Sequence, residues 1–233
     1  MVFAVLLTLL AFVSGGCAAN TYTVCPDGSC NYTSIQAAID NATVGDTIEV
    51  HSGTYYENVN VNEQLTLKGI DTVFGKPVVD AGSMGSALKL SHDGIVLDGF
   101  KAINTSSSPN AGIAVYSNNN TIINNTASNN FEGIYLWYSS YNNLTGNTAL
   151  NNNLGIIVLS SSINNLTGNT VLNNSNGIYL VYSSNNTLAD NTVSSNSNEG
   201  ISLYSSSDNT LTNNTVLNNS YGICLVFQAT TTT

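Results

Sequence analysis

Glycine followed by isoleucine recurs at Gly112-Ile113, Gly133-Ile134, Gly155-Ile156, Gly177-Ile178, Gly200-Ile201 and Gly222-Ile223, at intervals of 21, 22, 22, 23 and 22 residues. Asparagine followed by threonine keeps the same beat at Asn125, Asn147, Asn169, Asn191 and Asn214. A fixed period in this range defines a solenoid, in which each repeat buries its apolar face only against its neighbours. After each Gly-Ile the apolar residues alternate, as in Ile134 and Leu136 or Ile178 and Leu180, which is the period of a strand. Ile122, Leu144, Leu166, Leu188 and Leu211 form a second inward column, and Ala127, Ala149, Val171, Val193 and Val216 a third. Three short strands per turn with Asn, Ser and Gly between them describe an all-β fold, a single parallel β-helix. Turns stacked about 4.8 Å apart align like residues, so the Asn-Thr column forms a hydrogen-bonded ladder at a bend. The L-x-x-L-x-L-x-x-N spacing of leucine-rich repeats is absent. Helical repeats are excluded because these turns consist largely of poor helix formers.

The chain begins with an uncharged apolar run, Met1 to Val13, followed by Ser14, Gly15 and Gly16 and then Cys17-Ala18-Ala19. The run is too short to span a membrane and reads as the apolar region of a signal peptide over residues 1–19. Lipidation of Cys17 would leave the protein membrane-anchored, and cleavage after Ala19 would release it. Residues 20–227 then form the β-helix domain, regular over 111–227, and 228–233 a Thr-rich tail. Four lysines, no arginine and a net charge of −10 give a surface that repels nucleic acid and rules out that partner. Cys25 and Cys30 flank a Pro-Asp-Gly-Ser turn and are expected to pair in an oxidising compartment.

Thr33-Ser34-Ile35-Gln36 has the form of a capping box, opening a short helix to about Ala42 whose Ile35, Ala38 and Ile39 share one apolar face. That helix is expected to cover the core of the first turn. Strands are predicted at Thr47–Val50, Tyr55–Val61 and Leu65–Lys68, with less regular turns over 70–110.

Ile35-Gln36-Ala37-Ala38-Ile39-Asp40, Gly45-Asp46-Thr47-Ile48, Gly53-Thr54-Tyr55-Tyr56-Glu57-Asn58-Val59 and Leu65-Thr66-Leu67-Lys68-Gly69 resemble the opening of right-handed parallel β-helix proteins of the pectin-lyase-like superfamily. The later turns are similar to the short parallel β-helix repeats of the NosD-like group of surface proteins. The resemblance spans about Thr33 to Phe227. It implies right-handedness and is compatible with lyase, hydrolase, esterase, adhesive and structural roles, while the leader and the acidic, charge-poor composition point to a secreted or cell-surface location.

A lyase or esterase of that superfamily is expected to set arginine beside carboxylates, and this chain has no arginine. A glycosidase needs two carboxylates within about 5–9.5 Å. Glu132 and Glu199 share a column but lie three turns apart, about 14 Å. Asp71, Asp80, Asp93 and Asp98 are the remaining place for an acid cluster, catalytic or calcium-binding. Copper, which the NosD-like resemblance suggests, needs His, Met or Cys ligands. His51 and His92 have no partner recognisable in the sequence, so no metal site is assigned.

The outward columns are more informative. Alternation sends Ala114, Tyr135, Ile157, Tyr179, Ser202 and Cys224 outward in one row, and Tyr116, Trp137, Leu159, Val181, Tyr204 and Val226 in the row beside it. An apolar strip of this length marks an interface. Tyr116, Tyr135, Trp137, Tyr179 and Tyr204 therefore form the candidate site, either a stacking platform for sugar rings or a surface for another protein. Strand propensity alone also favours Tyr and Trp at such positions. N-x-S/T sequons at exposed turns, such as Asn143 and Asn165, could carry glycans. The last turn runs into the Thr-rich tail without a capping helix, so either the natural protein is longer, with the tail as a linker, or this strand edge stacks end to end on another copy. The sequence thus points to a secreted or surface-anchored β-helix that binds polysaccharide or builds envelope structure without catalysis. A carbohydrate-active enzyme and a periplasmic metal-handling protein are the alternatives.

Overall fold

Each turn of the chain lays down three short strands, and each strand pairs in parallel with its equivalent in the next turn. The computed structural model describes residues 18–72, 74–227 and 229–232, with only the backbone of Thr232. The expected leader and Cys17 lie outside the described residues, apart from Ala18 and Ala19. Three parallel sheets result, of ten strands (sheet I), eight (sheet II) and eight (sheet III) among the described residues. In one regular turn sheet I takes Asn143–Thr145, sheet II takes Thr148–Leu150 and sheet III takes Leu154–Leu159. The register stacks Ile134 on Ile156 and Ile156 on Ile178, so the Gly-Ile marks coincide turn by turn. Ile, Leu, Val and Ala of the three inward columns fill one continuous rod-shaped core.

The corners explain the sequence. Each corner puts a residue in the left-handed region, such as Asn151 (φ 55°) or Ile163 (φ 58°), and follows it with a buried Asn at three bends and a buried Ser at the fourth. Among the described residues there are three Asn ladders, not the one read from the Asn-Thr mark: Asn142–Asn164–Asn186, Asn147–Asn169–Asn191 and Asn152–Asn174–Asn196 run side by side. In each, one Oδ1 accepts from both the backbone N–H and the Nδ2 of the Asn one turn earlier, as Asn169 does from Asn147 at 3.0 and 3.1 Å. The amide thereby satisfies the backbone N–H that the bend removes from the strand ladder. A parallel Ser ladder, Ser139–Ser161–Ser183–Ser206, closes the fourth bend. The Gly marks have a steric cause. A Cβ on Gly155 would lie 2.5 Å from Val171 Cγ1 and 2.6 Å from the carbonyl oxygen of Gly177.

At the N-terminal end β1 (Thr21–Val24) is followed by α1 (Ile35–Asn41), β2 (Thr47–His51), β3 (Thr54–Tyr55), β4 (Val59–Val61) and β5 (Thr66–Ile70). Ile35, Ala38 and Ile39 of α1 are buried on the core. The cap differs from the predicted box. Ser34, not Thr33, is the N-cap, and the carboxylate that Gln36 was to mimic comes from Glu57. Glu57 Oε1 accepts from Ile35 N and Oε2 from Gln36 N and Ser34 Oγ, each at 3.0 Å. The predicted strand Tyr55–Val61 is also two strands in different sheets, because Tyr56-Glu57-Asn58 forms the corner that delivers this carboxylate. In the tail, Thr231–Thr232 pairs with Asn209–Thr212 in sheet I.

Candidate functional site

The outer face of sheet III carries the site residues, because every second residue of its strands points away from the core. Tyr116 and Trp137 meet edge to face at 5.6 Å between ring centroids, and Trp137 lies 5.2 Å from Tyr138. Further along the axis Tyr204 meets Tyr182 at 5.9 Å and Phe227 at 5.1 Å. Trp137, Tyr138 and Tyr182 are 44%, 68% and 60% exposed, so ring faces and edges are open to solvent.

Of the two rows predicted to face outward, the one through Ala114, Tyr135 and Ile157 is instead largely covered. Tyr135 and Ile157 are 6% and 5% exposed, and Ala114 and Ser202 are buried as well. Tyr116, Leu154 and Leu159 of the flanking rows close over it and make a second apolar cluster outside the main core. Tyr135 is thus a supporting residue, Tyr179 is half-buried, and the shelf is formed by Tyr116, Trp137 and Tyr204. Tyr138 and Tyr182 were not picked out in the sequence. They occupy the left-handed corner (φ 47° and 49°) that Ser160 and Ser205 fill in other turns. An aromatic residue there costs of order 1–3 kcal/mol, so alternation offers no reason for it but a surface role does.

Glu132 sits under the shelf. It is buried, and its Oε2 is the one buried side-chain polar atom without a hydrogen-bond partner among the described residues. Burial raises its pKa, partly offset by a hydrogen bond from Ser108. Burial, together with the nearby Glu132 charge, pushes the Tyr135 phenol up to about 12 and raises Tyr116. Both phenols therefore act as hydrogen-bond donors at neutral pH. Glu199 lies three strands along the same column, where Asn176 Nδ2 donates to its Oε2. At about 14 Å the two acids do not make a hydrolytic pair.

Beside Tyr116 the shelf runs into an open groove of about 310 Å³ lined by Asn58, Asn60, Ser86, Lys89 and Asn110. Lys89 Nζ stands 5.4 Å from the Tyr116 ring centroid, within cation–π range. The groove adds amides, a hydroxyl and a cation to one end of the aromatic shelf.

Among the described residues no three of Asp71, Asp80, Asp93 and Asp98 converge as the ligands of one cation would. Asp71, Asp80 and Asp93 accept from backbone N–H groups of nearby turns, and Asp98 from the Asn124 side chain. His92 faces the Asp93 carbonyl oxygen at 2.8 Å. His51, which had no recognisable partner in the sequence, has two. Its Nδ1 lies 3.3 Å from Cys25 Sγ and 3.9 Å from Cys30 Sγ. The signal was the β1–β2 register, in which Val24 pairs with Val50 and so sets Cys25 beside His51. The two sulfurs are joined, with Cα atoms 5.2 Å apart.

The sequence matches the family described as "Periplasmic copper-binding protein (NosD)" over residues 18–233. The chain belongs to the NosD family. Solved structures with the same fold include pectate lyase Pel9A (TM-score 0.63, 15% identity, 93% of this chain and 79% of that one). The alginate lyase from Paenibacillus sp. str. FPU-7 matches with TM-score 0.59 and 16% identity over 88% of this chain and 68% of that one. The periplasmic alginate epimerase AlgG matches with TM-score 0.53 and 17% identity over 91% of this chain, which spans 55% of that one. These identities show the fold alone, that of the right-handed pectin-lyase-like β-helix. No curated protein matches the sequence. No helix among the described residues is long and apolar enough to cross a membrane. The copper that the family description implies needs soft donors, and Cys25, Cys30 and His51 are the one such group among the described residues. Joined as a disulfide the sulfurs offer no thiolate; opened by reduction they would supply, with the imidazole, the donors that suit Cu(I).

Proposed function

We propose that this NosD-family β-helix acts outside the cytoplasm, binding polysaccharide along the outer face of sheet III without turning it over. The observation that carries the reading is the half-exposed aromatic shelf, Tyr116, Trp137 and Tyr138 followed by Tyr182 and Tyr204, two of whose members hold costly left-handed backbone. Such rings offer flat apolar faces to sugar C–H groups, and the phenols and the Asn58–Asn60–Lys89 groove offer hydrogen bonds to hydroxyls. The two aromatic clusters are about two turns apart, roughly 10 Å along the axis, which suits an extended chain lying parallel to it. The lyases and the epimerase among the structural neighbours are named for polysaccharide substrates, which supports the ligand class. The wide separation of Glu132 and Glu199 and the lack of arginine support binding without turnover.

The test is affinity electrophoresis through gels cast with acidic and neutral polysaccharides, run beside a reducing-end release assay. Retardation by at least one polysaccharide with no release supports the proposal. Release of new ends would overturn its non-catalytic part, and unretarded migration in every gel would overturn binding. Anchoring through Cys17 and end-to-end self-association belong to the same proposal. Light scattering that gives one monomer mass at all concentrations would remove the association.

A further inference from the structure

Away from the shelf residues, a second set of groups converges where β1 and β2 pair at the N-terminal end. We infer that Cys25, Cys30 and His51 form a redox-gated site for one soft d10 cation, Cu(I), closed as a disulfide and opened by reduction. The three ligand atoms all lie within 4.8 Å of one another, so a single cation can reach each of them after small side-chain rotations. The site is built into the fold. Strand pairing fixes Cys25 against His51, and Tyr55 Oη lies within hydrogen-bonding distance of the Val24 carbonyl at 3.1 Å and the His51 carbonyl at 2.9 Å. The loop that returns Cys30 is held independently of the sulfurs. Cys25 N donates to Tyr32 O and Tyr32 N to Thr23 O, both at 3.0 Å, while Asp27 Oδ1 accepts from Ser29 N and Oγ. Opening the disulfide therefore leaves both thiols near the imidazole.

Cys25 is buried and Cys30 and His51 are half-buried. An open cavity of about 210 Å³, lined in part by Cys25, His51, Ser52 and Thr72, gives access to them. Two thiolates and one imidazole make a three-coordinate soft set that suits Cu(I), whereas a structural Zn(II) site would need a fourth ligand. The chemistry balances with a small-molecule thiol as reductant. Two such thiols give two electrons and two protons to the Cys25–Cys30 bond, ending as their own disulfide and leaving two protein thiols. Cu(I) then displaces both thiol protons and gains two sulfur bonds and one nitrogen bond. Exchange with a small-molecule disulfide reverses the step: it takes two electrons from the two sulfurs and two protons from water, leaves as two thiols, and the re-formed Cys25–Cys30 bond expels Cu(I). The inference is independent of the polysaccharide reading.

The test uses the full chain carrying Cys17→Ser and Cys224→Ser, since Cys224 is a free thiol. It is treated with dithiothreitol, desalted without air, and titrated with Cu(I) against a bathocuproine chelator. The reduced chain should take one Cu(I) per molecule with thiolate-to-copper absorption in the near ultraviolet, and the oxidised chain none. His51→Ala, which keeps both thiols, should weaken Cu(I) retention at least tenfold. Equal loading of oxidised and reduced chains, unchanged retention in His51→Ala, or stronger retention of Zn(II) than of Cu(I) would each overturn the inference. Should the reduced chain lose its far-ultraviolet circular dichroism, the claim that the loop outlives the disulfide would fail with it.

Discussion

Replacing Asn169 by Ala removes one rung from the middle of a ladder and leaves the strands on either side untouched. Asn169 Oδ1 accepts from the Asn147 backbone N–H (3.0 Å) and Nδ2 (3.1 Å), and its own Nδ2 donates to Leu144 O (2.9 Å) and Asn191 Oδ1 (3.0 Å). Four buried hydrogen bonds disappear, each worth about 1 kcal/mol net, and the Asn147 N–H is left buried without an acceptor. The expected loss is about 3–5 kcal/mol, read by urea unfolding followed by circular dichroism. Asn165, on the strand before it, is the control, because its side-chain bonds to Asn143 and Thr167 are exposed. Asn165→Ala should cost under about 1 kcal/mol. The loss should also be local, since a solenoid couples only neighbouring turns: the Asn147 amide should exchange faster while amides near Ile48 keep their protection. A cost for Asn169→Ala no larger than that of Asn165→Ala would refute the claim that the ladders, rather than the core columns alone, hold the corners.

Gly155→Ala should destabilise by about 1–3 kcal/mol or more, since its Cβ would meet the Gly177 carbonyl and Val171; a neutral melt would show that the turns can separate to admit it. Glu57→Ala removes three hydrogen bonds from the start of α1 and should cost about 2–3 kcal/mol, with helical amides losing protection first; unchanged protection would contradict the cap assignment. Glu132→Gln tests the buried carboxyl. Because its folded pKa is raised, the unfolded chain ionises first, so Glu132 lowers stability as pH rises from the ordinary glutamate value of 4.5 through the raised one, and the penalty persists above it. The variant should lose that decline and match or exceed the parent at pH 7; a variant less stable than the parent at pH 7 would contradict the burial cause.

The repeat made the fold legible because a strand register that returns every 21–23 residues leaves one geometry that stacks Ile134, Ile156 and Ile178. The solenoid class followed from the period, and the inward columns from alternation within each repeat. The corners were harder, since left-handed φ values and buried Asn residues look like loop composition until the turns are stacked. That is why two of the three Asn ladders, and the aromatic corner positions Tyr138 and Tyr182, were missed. Alternation identified Tyr116, Trp137 and Tyr204 correctly as outward but could not show that Tyr135 would be covered, because cover comes from neighbouring turns. The place of His51 beside the Cys25–Cys30 pair was invisible for a related reason: it depends on the pairing of β1 with β2 across the intervening helix.

The polysaccharide shelf is the central claim, and the double variant Trp137→Ala, Tyr182→Ala tests it most directly. Both side chains are exposed, so removing them should leave the melting temperature within a few degrees of the parent. Each lost ring–sugar contact of about 0.5–1.5 kcal/mol weakens binding several-fold, so the pair should reduce gel retardation by a retained polysaccharide roughly tenfold or more. Retardation equal to that of the parent, in a variant with an unchanged melt, would contradict the account.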